Sequence, residues 1–238
     1  MTTQPAPQGR QNERGNVLFL ILIAVALFAA LSYAVTQSSR SGGGDAGKET
    51  NLVNSAQITQ YPSGIRTAIV RMIIGGTDVT TLKFNPPSTF SALTTLTEGV
   101  FHPNGGGATY SLAPPDVVTT SSIGEWTFNG ENQIVNIGTT AATMTAAEAD
   151  LIAFLPDVSN SVCSKLNESL GLPTTAPEVT GIDFTTQMDT TTPGFCNGGC
   201  GGTIGSTGGA DVLNGKPFGC FRNGAAGEYV YYHVLVER

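Results

Sequence analysis

The chain has 238 residues, with 11 Lys or Arg against 18 Asp or Glu, a net charge of −7, and only 12% of its residues are charged. After Arg40 the balance is eight basic against seventeen acidic residues, or −9. That excludes nucleic acid as a partner, because phosphates demand clustered Lys and Arg. Low charge with 30 glycines and abundant Thr and Ser suits an extracytoplasmic β-rich domain better than a cytosolic enzyme.

Val17 to Val35, VLFLILIAVALFAALSYAV, is nineteen residues without a charge. At roughly 1.5 Å of rise per residue it makes a helix of about 28 Å, enough to cross the hydrocarbon of a bilayer. Arg10 and Arg14 precede it, and this basic bias predicts a cytoplasmic N-terminus with the remainder outside. A secretory signal cut near Ala34 is the competing reading, but a signal's apolar region is typically about 7–15 residues. Cleavage before the apolar run is the third option, and it leaves the helix on the mature protein. The predicted organisation is therefore a leader over 1–15, a transmembrane and assembly helix over 16–37, a joint over 38–47 and an exported head over 48–238. The head is long enough for one domain with its own core.

The joint is predicted at SSRSGGGDAG because glycine is costly inside a helix and three in succession are worse. Lys48 to Tyr61 carries Leu52, Val53, Ala56 and Ile58 at helical spacing, and Pro62 is expected to interrupt that helix or open a new one. Ile65, Ile69, Met72 and Ile73 resume the pattern, and Gly75-Gly76 supply a stop. Beyond Thr77, Pro86-Pro87, Asn104 to Gly107 and Pro114-Pro115 punctuate short strands. Glu125–Asn129 and Gln133–Ile137 flank Gly130-Glu131-Asn132 as a predicted hairpin, with Trp126 and Phe128 on one face. Ala146 to Leu170 is predicted helical, split at Pro156, with Val158, Val162, Leu166 and Leu170 on the buried side. Glu148 and Asp150 are read there as favourable charge at a helix N-terminus. EYVYYHVLV, Glu228 to Val236, is the final strand.

Cys163, Cys196, Cys200 and Cys220 fall in the part expected outside the cytoplasm, where oxidation is favoured. Four cysteines allow three connectivities, all of them open from spacing. Cys196–Cys200 with Cys163–Cys220 is preferred, because it would tie the second helix to the final sheet. A zinc site is disfavoured by the CxxxC spacing and by a total of two histidines, His102 and His233. No cofactor and no metal are expected. Cys200 has no evident general base, and GGCGGTIG lacks the Lys of a phosphate loop, so an enzyme is not expected.

A hydrophilic leader with Arg10 and Arg14, Gly15 at its end and then an unbroken apolar helix resembles the class III leader of type IV pilins and pseudopilins. The resemblance implies cleavage after Gly15 by a prepilin peptidase, so that Asn16 begins the mature chain. It implies an assembly helix that includes Val17, Leu18 and Leu20. It also implies an α+β fold: a long N-terminal helix, transmembrane and then amphipathic, packed on an antiparallel β-sheet head. The implied partners are other pilin-like subunits, the peptidase and the inner membrane. The implied location is a single inner-membrane pass with a periplasmic head, ending outside the cell in a filament. The family usually has Phe or Met where Asn16 stands and Glu where Leu20 stands. That Glu neutralises a neighbour's N-terminal amine inside an apolar core. Its absence points to a minor subunit of a pilus or secretion pseudopilus. The alternative is a bitopic exported binding protein that forms no filament.

Overall fold

A computed structural model describes residues 14–197, 199–206, 210–224 and 227–238. The protein is mixed α+β: an N-terminal apolar helix leads into a domain built on one sheet. By internal contacts the chain forms two compact units that meet between Glu49 and Thr50.

Helix α1 covers Arg14–Ile74, 61 residues. Its backbone is helical through 38–47, where the glycines predict a joint, and Pro62 lies inside it without ending it. A proline at that point forfeits one backbone hydrogen bond. The cost is offset locally because Pro62 is buried and Ile65, Ala68 and Ile69, on the inner face of the following turns, are buried in the head. Gly76, at a φ of +95°, then closes the helix in the left-handed conformation that favours glycine.

The head is organised around strands β1 (Thr127–Ile134), β2 (Asp150–Leu155), β3 (Glu178–Val179), β4 (Thr203–Ile204), β5 (Phe218–Asn223) and β6 (Glu228–Val236), in the order β3-β5-β6-β2-β1-β4. A second helix, α2, covers Asn160–Ser169. The four central strands pair antiparallel, but β3 runs parallel to β5 and β4 parallel to β1. The wholly antiparallel sheet expected is thus corrected at both edges. Each edge strand arrives by a crossover from the other side of the sheet, which a tight hairpin cannot make. Any side chain at Gly202, before β4, would strike the carbonyl of Gly181, just after β3. The two edges curl toward each other and the sheet is nearly a barrel.

Alternation along the strands sends successive side chains to opposite cores. Leu151, Ala153, Leu155, Cys220, Tyr231 and Leu235 pack with Ile58, Ile65, Ile69 and Met72 of α1 and with Val162, Cys163 and Leu166 of α2. Ile152, Phe154, Phe221, Val230, Tyr232 and Val234 pack on the other face with Leu172, Val179, Phe184, Ile204 and Leu213. Burial on both faces explains one misreading. DLIAFL was expected in a helix, yet all six residues of Asp150–Leu155 are buried in the middle of the sheet. A run buried on both sides shows no alternation to mark it as a strand.

The predicted hairpin around Gly130-Glu131-Asn132 is also corrected. Thr127–Ile134 is one strand, with a bulge in its pairing to β2 between Asn129 and Asn132. The polar run is bonded to the segment that includes Asp183, Thr186 and Gly202.

Candidate functional site: an apolar helix and a braced head

Val17–Gln37 is long and apolar enough to cross a membrane, and none of it is buried within the molecule. Val17, Leu18 and Leu20 are 57%, 65% and 58% exposed. Leu20, where the resemblance expects a carboxylate, thus stands exposed on the helix within the uncharged run that starts at Val17. The leader residues 1–13 lie outside the described residues, as do the side chains of Arg14, Gly15 and Asn16.

From Thr50 onward α1 has two faces. The inner one buries Ile58, Ile65, Ala68, Ile69 and Met72. The other carries Leu52, Val53, Val70 and Ile74, which are 51%, 55%, 42% and 81% exposed. At about 100° per residue, Leu52, Ala56, Ser63, Val70 and Ile74 fall within about 40° of arc. Of the apolar residues at helical spacing, Ile58 is buried, whereas Leu52, Val53 and Ala56 are exposed and Asn54 and Ser55 lie buried beside them. Asn54 donates to the carbonyl of Asp116. The Ser55, Thr59, Ser63 and Thr67 hydroxyls donate to carbonyls one turn back along the helix. Hydroxyls satisfied in this way can be covered by a neighbour without leaving an unpaired donor.

Two disulfides brace the head, Cys163–Cys220 and Cys196–Cys200. The first is fully buried and joins α2 to β5 across 57 residues of sequence. Chain entropy assigns a loop of that length about 4 kcal/mol. Asn167, which the sequence reading passed over, locks the same joint. Its amide donates to the carbonyl of Cys220 at 2.9 Å and its carbonyl accepts the N–H of Cys220 at 3.0 Å.

The second disulfide closes a loop of four residues' separation against β1. Beneath it lie Asn129, Glu131, Asn132 and Gln133, four consecutive or nearly consecutive polar side chains, all buried. Asn132 accepts the N–H groups of Asp183 and Gly202, and Asn129 donates to the carbonyls of Asp183 and Thr186. Burial alone would raise the Asp183 carboxyl, but hydrogen bonds from Thr186 and Thr185 outweigh it and hold the group below the usual range. These residues fasten the long crossover over the sheet. The only sequence signal for them was a polar run inside a strand-like segment.

Other titratable groups serve the fold. Asp150, read from the sequence as charge at a helix start, is buried in β2 and accepts the N–H groups of Ile134 and Arg238. Burial pushes its carboxyl up to about 7. His233 lies beside Tyr231, whose hydroxyl is 2.8 Å from its Nδ1, and stacks on Phe218. Burial, aided by the charge of Arg66, lowers its imidazole to about 4. His102 instead accepts the N–H of Asn104 at its Nδ1 and packs edge-on to Phe90. An open groove of about 400 Å³ is lined by Tyr110, Trp126, Phe184, Pro86, Pro156 and Gln187. The Gln187 amide there is already bonded to the backbone of Phe128 and Phe84.

The chain matches no protein-family model, no curated protein and no solved structure.

Proposed function

We propose that this protein is a structural subunit of the type IV pilin-like kind, a minor component of a pilus or secretion pseudopilus. Its N-terminal helix anchors it in the inner membrane with the head in the periplasm, and the same helix later packs among other pilin-like subunits. The observation that carries this reading is α1 itself. One helix carries near its start a 21-residue apolar span, Val17–Gln37, that the molecule leaves uncovered, and it ends as the inner helix of a folded head. A soluble domain has no use for such a segment, since exposing it to water costs about 25 cal/mol per Å² of apolar surface. A bilayer covers it before assembly, and neighbouring helices cover it afterward. The head half of the helix carries an exposed apolar stripe of its own, Leu52, Val70 and Ile74.

The N-terminal residue of protein recovered from its native membrane tests the reading. Cleavage after Gly15 gives a chain that starts at Asn16, and intact mass together with N-terminal peptide sequencing reads it directly. A chain that starts at Met1, or after Ala34, rules out a pilin-like subunit.

A further inference from the structure

The two disulfides differ in access. Cys163 and Cys220 are both fully buried, inside the core shared by α1, α2 and the sheet. Cys196 and Cys200 are only half-buried, and Asn197 and Gly199 between them are exposed. Exchange requires a thiolate to reach a sulfur, so access separates the two bonds. Cys196 also holds a φ of +52°, a left-handed conformation that is unfavourable for a residue with a Cβ and that the closed loop imposes.

What holds the loop is one buried residue. Glu131 is 2% exposed. Its Oε1 accepts the N–H of Asn197 at 3.2 Å, and its carbonyl accepts the N–H of Gly201 at 2.6 Å. Glu131 thus grips the chain one residue after each cysteine. Its Oε2 is buried without a hydrogen-bond partner, which leaves the carboxyl only partly compensated. The N–H of Cys196 completes the docking on the carbonyl of Gly130, against which the Phe195 ring lies flat.

We propose that Cys196–Cys200 is a thiol–disulfide exchange site on the head, open to dithiols, with Glu131 as the residue that positions the oxidised loop. One thiolate of a dithiol attacks one cysteine sulfur, breaks the Sγ–Sγ bond and releases the other cysteine as a thiolate. The second thiol of the reagent then displaces the first cysteine from the mixed disulfide. The reagent leaves as a disulfide, having given up two electrons and two protons, and Cys196 and Cys200 both become thiols. Cys163–Cys220 keeps the head folded throughout. Reduction frees Cys196 from its left-handed turn and uncovers the Glu131 carboxyl. This inference rests on the head alone and stands whether or not the chain enters a filament.

The test uses the full chain in detergent, titrated with dithiothreitol without denaturant, quenched in acid and mapped by differential alkylation. Cys196 and Cys200 should be half-reduced at about 100-fold less reductant than Cys163 and Cys220, with the far-UV circular dichroism unchanged. Equal reduction of all four, or reduction of the buried pair first, overturns the proposal. Glu131→Ala should lower the reductant needed at Cys196–Cys200 by about tenfold, the value of a hydrogen bond to a charged acceptor. Glu131→Gln, which retains a neutral acceptor, should move it by clearly less than Glu131→Ala does. An unmoved midpoint in Glu131→Ala removes Glu131 from the site. A second variant guards against misfolding: Cys196→Ser with Cys200→Ser must still melt cooperatively, and failure to do so makes the bond structural and overturns the exchange site.

Discussion

Asn167 and His233 illustrate how single buried polar groups hold this head. Asn167 is fully buried and spends both its donor and its acceptor on the backbone of Cys220. Replacing it with alanine strands a buried N–H and a buried carbonyl, each costing about 1–3 kcal/mol. Asn167→Ala should therefore lose about 2 kcal/mol or more in urea unfolding of the oxidised protein, the low end of the doubled cost. A loss near zero would mean that the disulfide alone fixes α2 on β5. His233 predicts a pH effect. Its imidazole is held at about 4 in the fold against 6.5 when free, so the fold favours the neutral ring. The contribution is complete above 6.5 and is lost as the pH falls toward 4, because the unfolded chain takes up the proton first. Asp150, raised to about 7, acts in the opposite sense: its contribution is present at low pH and lost as the pH rises through 7. Wild type alone therefore mixes two opposing slopes. The difference between wild type and His233→Asn isolates one of them, and the wild-type advantage in melting temperature should shrink between pH 6.5 and pH 4. A constant difference across that window would show that His233 does not titrate with folding.

At the scale of elements, α1 in the head separates a buried face from an exposed apolar stripe. Val70 is 42% exposed and Ile69 beside it is fully buried. Val70→Asp should change head stability by no more than about 0.5 kcal/mol, as expected of a surface position. The same variant should fail to co-purify with other pilin-like subunits if the stripe is an assembly face. Ile69→Asp should instead prevent folding, since it buries an unpaired charge. The sequence made α1, α2 and β6 legible through their periodicity and β-propensity, while the cysteine pairing stayed open among three and the structure has the preferred one. It misplaced β2 because a strand buried on both faces looks like any apolar run. It left open which face of α1 around Leu52 turns inward, since nothing local says that Asn54 has a carbonyl to bind on a distant loop. The β1 polar network was invisible for the same reason. Asn129, Glu131 and Asn132 look like a turn until the segment from Asp183 to Gly202 is laid over them, and that closure is decided by long-range contacts.

For the whole molecule, charge and the apolar helix together constrain the company it keeps. The part of the chain after Arg40 carries −9, so identical copies placed side by side repel one another. A filament made of this chain alone would stack that repulsion at every subunit. It would also leave an unpaired amine near every Leu20, whose side chain cannot accept a proton or a hydrogen bond. A buried charge without a partner costs several kcal/mol even after relaxation. Both penalties are small when the subunit occurs once, at a tip or as a primer, and both multiply when it repeats. The chain should therefore be present in purified filaments at a few copies, against many of a major subunit, when counted by quantitative mass spectrometry. Leu20→Glu supplies the missing carboxylate on a side chain that is 58% exposed on the helix. It should leave membrane insertion nearly intact and raise the copy number, without reaching that of the major subunit, because the head charge still repels. Stoichiometric abundance of the unaltered chain, or a homopolymer that forms at low salt, would show that neither Leu20 nor the acidic head limits its assembly.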